Sequence, residues 1–208
     1  MFRLATLLLA GAMLGASAHA APTILVMGDS LSAEYGLARG KGWVALLEQR
    51  LKDKRLDYSV VNASISGETS SGGAARMADA LARNKPAVVI IELGGNDGLR
   101  GLALPATRAN FEAMIKASQQ SGAKVLIAGM QLPPNYGRDA TTRFKTMYVD
   151  LAKQYKTALV PFILEGIGEQ QDLFQADGIH PLAQAHPRIL DNVWPALEPL
   201  LKAAKAKR

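Results

Sequence analysis

Short runs of apolar and β-branched residues alternate with longer segments of helical periodicity along most of this chain. The runs predict strands at 23–27, 58–62, 87–93, 124–129 and 158–160. The other segments predict helices at 43–53, 72–84, 105–121, 141–155 and about 181–202. Continuous apolar runs are typical of strands covered on both faces. The pattern therefore predicts an α/β fold, a three-layer sandwich with a five-stranded parallel sheet and right-handed crossovers.

The first twenty residues are interpreted as a signal peptide that is cleaved. Arg3 supplies a positive charge, an apolar run follows at 4–14, and residues 18–20 form a small-x-small cleavage site. This run is shorter than the roughly 20 residues that span a bilayer, which argues against an uncleaved anchor. We expect residues 21–208 to form a single domain that is exported, periplasmic or secreted, without stable membrane insertion.

Composition excludes several kinds of chemistry. The chain has no cysteine, which removes thiolate catalysis, cysteine zinc sites and iron–sulfur clusters. It has no cluster of residues at metal-ligand spacing, so we expect no metal and no cofactor. The basic excess, 24 Lys and Arg against 18 Asp and Glu, is partly at the C-terminus, where a solvated helix end explains it. We therefore expect no nucleic-acid partner, and we expect a monomer.

A serine follows the first predicted strand, in the sequence Gly-Asp-Ser-Leu-Ser at 28–32. Parallel α/β sheets carry their active residues on loops at the carboxyl ends of strands, which suits Ser30 as a nucleophile. A serine nucleophile needs a base within hydrogen-bond reach, and a third group must orient that base. A lone Gly-Asp-Ser is more commonly a turn that caps the next helix. The choice therefore depends on the partners found elsewhere.

Two histidines remain after the predicted cleavage, His180 and His186. His180 lies in Asp-Gly-Ile-His-Pro at 177–181. A carboxylate three residues earlier, Asp177, can reach the ring nitrogen that faces away from the substrate and so fix the tautomer. The alternative is an Asp-Gly turn before a helix that starts with proline. His186 falls inside the last predicted helix and is interpreted as a surface or packing histidine.

Acyl transfer also needs hydrogen-bond donors where negative charge develops on the carbonyl oxygen. Gly67 follows the second predicted strand, just before a helix, and can present a backbone N–H. Asn96 follows the third strand and can supply a side-chain amide. Glycine and asparagine at such places also mark plain turns and helix caps. Their occurrence after successive strands favours a shared site.

Four segments together resemble the blocks of the SGNH, or GDSL-type, hydrolases. They are Gly-Asp-Ser-Leu-Ser at 28–32, Gly67, Gly-Gly-Asn-Asp at 94–97 and Asp-Gly-Ile-His-Pro at 177–181. The segment Leu-Pro-Pro-Asn-Tyr-Gly, which begins at Leu132, is similar to the exported thioesterase I, lysophospholipase and arylesterase group of that family. The resemblance covers nearly all of the chain beyond the signal and implies a flavodoxin-like SGNH fold.

The resemblance implies a serine esterase that works through an acyl-enzyme. Ser30 is then the nucleophile, His180 the general base and then acid, and Asp177 the orienting carboxylate. The backbone N–H groups of Ser30 and Gly67 and the Asn96 amide form the oxyanion hole. The implied substrates are small-molecule acyl esters and thioesters, namely medium- and long-chain acyl esters, lysophospholipid, acyl-CoA and aryl esters.

Two apolar segments are predicted to border the serine and to form an acyl groove. Their members are Leu99, Leu102, Leu104, Leu132, Pro133 and Tyr136. Ordinary loop packing is the alternative interpretation. Two further functions stay open: a short-chain aryl or carbohydrate O-acetyl esterase, and a non-catalytic lipid- or glycan-binding module on the same fold. The joint presence of Ser30, Asn96, Asp177 and His180 argues against the module.

Overall fold

The structure, a computed structural model, describes residues 21–205 of the chain, and the predicted signal lies outside them. Its strands are β1 (Thr23–Gly28), β2 (Ser59–Asn62), β3 (Val88–Glu92), β4 (Lys124–Ala128) and β5 (Ala158–Val160). They form one parallel sheet in the order β2-β1-β3-β4-β5. The α/β prediction and the five strands are confirmed, and no strand boundary differs from the prediction by more than one residue.

Residues 21–205 contain six α-helices. They are α1 (Trp43–Asp53), α2 (Ser70–Asn84), α3 (Gly95–Leu99), α4 (Leu104–Gln120), α5 (Arg138–Tyr155) and α6 (His186–Lys205). Successive side chains of a strand point to opposite faces, so Ile24 of β1 packs toward α1 and α6, while Leu25 packs toward α2, α4 and α5. Both Ile24 and Leu25 are fully buried. The result is the three-layer sandwich that the sequence predicts.

Three features of the fold differ from the sequence predictions. The last helix begins at His186 rather than near Pro181, because Leu182 is extended and its N–H donates to the Leu173 carbonyl at 2.8 Å. The short helix α3 was not predicted, since Gly95–Leu99 is too short for helical periodicity. Strand β2 lies at the sheet edge with Ser59 and Asn62 exposed, and Val60 and Val61 are only partly buried against the two opposite cores, so it is covered less than the strands inside the sheet.

The carboxyl ends of the strands gather the loops that carry the predicted site. A close contact there depends on Gly28, where a Cβ would lie 2.8 Å from Glu92 Oε2 and from Ser32 Oγ. The absence of a side chain at Gly28 lets the loop after β1 pack directly on the end of β3. Within residues 21–205, no helix has both the length and the apolar character needed to cross a membrane.

Candidate active site

The structure brings together the three residues of the predicted triad. His180 Nε2 lies 2.9 Å from Ser30 Oγ, and His180 Nδ1 lies 2.7 Å from Asp177 Oδ2. Ser30 follows β1, whereas the other two residues lie on the long loop between β5 and α6. Because an ionised carboxylate only accepts hydrogen bonds, the imidazole proton resides on Nδ1. Nε2 is then free to accept the Ser30 hydroxyl proton.

Asp177 is held as a carboxylate by local hydrogen bonds. The backbone N–H of His180 lowers the pKa of Asp177 most, followed by the His180 ring and the N–H of Ile179, and together they bring it to about 2. Both N–H groups donate to Asp177 Oδ1, at 3.0 and 2.9 Å. The Asp-Gly-Ile-His segment therefore folds as a turn around its own carboxylate and presents the second oxygen to the imidazole.

The loop after β1 is an Asx-type turn built by Asp29. Asp29 Oδ1 accepts the Leu31 N–H at 3.0 Å, and the Asp29 carbonyl accepts the Ala33 N–H at 2.9 Å. In the part of the chain that the structure describes, the N–H groups of Ser30 and Gly67 have no protein acceptor. Gly67 has φ +79°, a left-handed conformation that suits glycine, and its carbonyl accepts from Arg100 Nη2 at 3.0 Å.

The Asn96 amide is already engaged in two hydrogen bonds. Its Nδ2 donates to Asp29 Oδ2 at 3.2 Å and to the Glu68 carbonyl at 3.0 Å. A side-chain amide carries two N–H bonds, so both of its donors have partners. Asn96 is thus fixed beside the serine loop, and an oxyanion would have to share or replace one of these acceptors.

Two buried carboxyl groups lie beneath the serine loop. Desolvation by burial raises the pKa of Asp29 to about 6, while the Leu31 N–H, the His180 charge and the Asn96 amide act in the opposite direction. Glu92 is fully buried, and desolvation, reinforced by the nearby Asp29 charge, holds its pKa well above the usual range. Burial in low dielectric favours the neutral acid and raises both pKa values, and the stronger shift of Glu92 leaves Asp29 as the member of the pair that ionises first as the pH rises.

Glu92 ties the serine loop to the protein core. Its Oε2 accepts the Ser32 hydroxyl at 2.7 Å and the Asp29 N–H at 3.3 Å, and Trp43 Nε1 donates to Ser32 Oγ at 3.1 Å. This role of Glu92 was not predicted from the sequence. A signal was available, because a single acidic residue ends the otherwise apolar strand β3.

Asp97 was also not singled out, although it joins two of the site loops. Its carboxylate accepts the Ser70 N–H at 2.8 Å, the Ser70 hydroxyl and the Thr107 hydroxyl. These bonds fasten the first turn of α2 to α3, and therefore hold the Gly67 loop near Asn96. Asp97 is buried beside the N-terminus of α2, so its role is to hold these elements together.

His186 lies apart from the triad and packs in the core. It is buried, and its Nδ1 accepts the Trp43 N–H at 3.0 Å. Desolvation lowers the pKa of His186, against smaller opposing contributions from the Pro181 backbone and Glu34. The prediction of a packing histidine is consistent with this environment.

A cavity of about 320 Å³ lies beside α3. Four of the six predicted groove residues line it, namely Leu102, Leu104, Leu132 and Tyr136. Leu99 and Pro133 are not among its lining residues, although the Leu99 carbonyl accepts the Tyr136 hydroxyl at 3.1 Å. This hydrogen bond joins the two predicted segments.

Within residues 21–205, no group of three His, Cys, Asp or Glu side chains could hold a metal ion.

Comparison with known proteins agrees with this geometry. A family model described as the GDSL-like lipase/acylhydrolase family matches residues 26–188. The chain is 58% identical over 182 residues to Esterase TesA of Pseudomonas aeruginosa, covering 88% of this chain and 90% of that protein. It is 41% identical over 184 residues to the Thioesterase 1/protease 1/lysophospholipase L1 of Escherichia coli, covering 88% and 87%.

The fold of this chain is also similar to that of a solved structure. A crystal structure of TesA matches with a TM-score of 0.84 at 57% identity, covering 86% of this chain and 99% of that one. The family match spans the segments that hold Ser30, Gly67, Asn96, Asp177 and His180. The chain therefore belongs to the GDSL-like lipase/acylhydrolase family, the SGNH hydrolases, and is an ester hydrolase.

Proposed function

We propose that this enzyme hydrolyses acyl esters and thioesters through an acyl-enzyme formed on Ser30. The observation that carries the proposal is the continuous hydrogen-bonded path from Asp177 through His180 to Ser30, with distances of 2.7 and 2.9 Å. A serine hydroxyl is a weak nucleophile by itself, and an adjacent base that is oriented by a third group activates it.

The reaction has two half-reactions. Ser30 Oγ attacks the carbonyl carbon as its proton passes to His180 Nε2, and the imidazolium then protonates the departing alcohol or thiol. The acyl group remains on Ser30 as an ester. Water next gives a proton to His180, attacks the acyl carbon, and releases the carboxylic acid while the proton returns to Ser30. Asp177 orients the ring and balances its positive charge in both steps.

The oxyanion hole is proposed to consist of the Ser30 and Gly67 N–H groups and the Asn96 amide. The two backbone donors are supported by their lack of a protein acceptor in the described part of the chain. Asn96 contributes by sharing the N–H that faces Asp29 Oδ2 or Glu68. Loss of one such donor lowers kcat by about 10² to 10³, which Asn96→Ala tests.

The acyl chain is proposed to occupy the cavity lined by Leu102, Leu104, Leu132 and Tyr136. The support for this placement is that the cavity is lined by Gly98, which is in the same short helix α3 as Asn96, and by Leu132, which packs against Gly98. Its volume of about 320 Å³ suits a medium acyl chain. Leu132→Ala should shift the preferred chain length, whereas Val149→Ala, on the exposed face of α5, should not. An unchanged profile for Leu132→Ala would assign this leucine to packing alone.

The deciding experiment is hydrolysis of a p-nitrophenyl ester series from acetyl to palmitoyl, with palmitoyl-CoA alongside and Ser30→Ala as the control. Activity on medium and long chains that Ser30→Ala abolishes supports the proposal. Activity limited to acetyl favours the short-chain aryl or carbohydrate O-acetyl esterase. No activity from folded protein favours the lipid- or glycan-binding module. Undiminished activity of Ser30→Ala would refute the assignment of the nucleophile.

Export and oligomeric state are proposed on the sequence alone. We propose that the chain is cleaved after Ala20, that residues 21–208 act as one domain in the periplasm or medium, and that this domain is a monomer without a nucleic-acid partner. Intact-mass measurement of the protein from an exporting host gives the cleavage site. Size-exclusion chromatography with light scattering gives the oligomeric state.

A further inference from the structure

The ring of Tyr35 lies against the imidazole of His180. The two ring centroids are 4.3 Å apart and the planes are tilted by 38°. Tyr35 is nevertheless 48% exposed, so a large part of its side chain faces solvent beside the triad. Most large aromatic residues of the described chain are instead packed in the core. Tyr35 is thus a half-exposed aromatic side chain in direct contact with the proposed base.

The backbone of Tyr35 is fixed by the loop that carries His180. Gln175 Nε2 donates to the Tyr35 carbonyl at 2.9 Å, and the Gln175 N–H donates to the His180 carbonyl at 2.8 Å. The next residue, Gly36, has φ +70°, and a Cβ there would collide with Gln175 Oε1. Only glycine allows this approach without strain. Gln175 thus joins the two segments that bring the rings together.

The residue before Tyr35 is fixed from the other side. Glu34 has φ +60°, and its carboxylate accepts the Gly42 N–H at 2.7 Å and the Gly40 N–H at 3.1 Å. A left-handed conformation is unfavourable for glutamate, and these bonds offset its cost. The segment that carries Tyr35 is therefore anchored on both sides of the ring, which makes the exposed ring a preorganised surface.

The chemistry of the reaction decides which part of the substrate meets this surface. The base must deliver its proton to the departing oxygen or sulfur, so the leaving group lies beside the His180 ring. Tyr35 packs on that ring. The acyl cavity is formed by other segments, around Leu102 and Leu132, which follow β3 and β4. Tyr35 is thus placed to contact the leaving group rather than the acyl chain.

We propose that Tyr35 is a specificity-determining residue for the leaving group, and that its exposed ring favours aryl esters over alkyl esters of the same acid. The proposal rests on the proposed function, because it takes His180 as the proton donor. Aromatic rings prefer offset or tilted contacts with one another, which add to the gain from apolar burial. A flat aromatic leaving group beside His180 can make such a contact with Tyr35, whereas a short alkyl group cannot.

The test compares kcat/KM for 2-naphthyl acetate and ethyl acetate in the wild type, Tyr35→Phe, Tyr35→Leu and Tyr35→Ala. The intrinsic reactivity of each ester is the same for every variant. A change in the ratio of kcat/KM for 2-naphthyl acetate to kcat/KM for ethyl acetate, relative to the wild type, therefore reports the contact between Tyr35 and the leaving group. We expect Tyr35→Ala to lower this ratio by about tenfold and Tyr35→Phe to change it less than about twofold. Tyr35→Leu keeps apolar bulk without the ring, and should lower the ratio by about threefold or more.

Val149→Ala is the matched control, since Val149 is a similarly exposed apolar side chain on α5, outside the triad and its loops. It should leave the ratio unchanged. An equal loss on both esters in Tyr35→Ala, with a shifted pH profile, would mean that Tyr35 only supports the imidazole, and it would overturn the proposal. An unchanged ratio in both Tyr35→Leu and Tyr35→Ala would also overturn it. If Ser30→Ala hydrolyses both esters as fast as the wild type does, the proposed function is refuted, whatever the result for the Tyr35 variants.

Discussion

Two regions beside the same serine shift the pKa values of their carboxyl groups in opposite directions. Asp177 lies on an exposed turn with 38% of its side chain accessible, and three hydrogen bonds from its own segment lower its pKa to about 2. Asp29 and Glu92 lie beneath the serine loop, where burial raises the pKa of both. Hydrogen bonds outweigh the small desolvation of Asp177 in the first region, whereas desolvation outweighs the hydrogen bonds in the second.

The difference in pKa corresponds to a difference in role: Asp177 supplies negative charge to His180, and Asp29 and Glu92 hold the serine loop in place. A transient positive charge forms on the His180 imidazole during the reaction, and a carboxylate that stays ionised stabilises it. A neutral acid in the core can accept and donate hydrogen bonds without the cost of burying a charge. The exposed carboxylate is thus suited to chemistry, and the buried pair is suited to holding the loop that carries Ser30.

Asp177→Asn should give the largest effect, because it removes the charge and can favour the wrong imidazole tautomer. We expect kcat for a p-nitrophenyl ester to fall by about 10³ to 10⁴ with little change in the free energy of unfolding. Steady-state kinetics and urea denaturation measure the two quantities. Asp172→Asn, an acidic residue on the same loop and outside the triad, serves as the control. A loss below about tenfold for Asp177→Asn would contradict the contrast between the two regions.

Glu92 should tolerate exchange of its carboxyl group for an amide but not loss of its side chain. Glu92→Gln keeps a carbonyl oxygen that accepts from Ser32 and from the Asp29 N–H, so kcat should stay within about tenfold. Glu92→Ala leaves those donors unpaired and opens a void under Gly28, which should lower the free energy of unfolding by about 2 to 4 kcal/mol. Urea unfolding of both variants compares them. Equal destabilisation by both substitutions would contradict this expectation, because it would show that the carboxyl group itself is required and not only its volume and its acceptor oxygen.

The same contrast explains which parts of the molecule could be predicted from its sequence. The strands follow from continuous apolar runs, and Ser30, Asp177 and His180 follow from residue types placed at strand ends. The carboxylate and base of the triad are three residues apart, so one turn determines their contact. The bonds of Glu92 to Ser32 and Asp29 join residues about sixty positions apart, and no local pattern encodes such a pairing.

Other features were missed for related physical reasons. The contact of Tyr35 with His180 depends on how two distant loops pack, and Gln175, which joins them, resembles any exposed polar residue in the sequence. The occupied state of the Asn96 amide depends on the position of Asp29, not on spacing. The edge position of β2 follows from strand order, which the number and length of strands do not specify.

The smallest predicted effect is on the pH dependence of stability, where the two regions act with opposite sign. For Asp29, a pKa raised from 3.8 to about 6 means that the folded state retains a proton that the unfolded state has lost, so stability falls as pH rises across that interval. Asp177 acts in the opposite direction, because its pKa is lowered to about 2. Its contribution is present above 3.8 and is lost as pH falls through about 2.

Asp29→Asn should therefore lessen the loss of stability between about pH 4 and about pH 7, even though it weakens the serine turn at every pH. Urea unfolding across this range, with wild type as reference, separates the change in slope from the constant offset. Asp177→Asn should leave the slope in this range unchanged and alter it only below about pH 4, by little, because the group is exposed. A wild-type slope in Asp29→Asn would mean that Glu92 alone carries the buried proton, since its desolvated carboxyl would then titrate in place of Asp29.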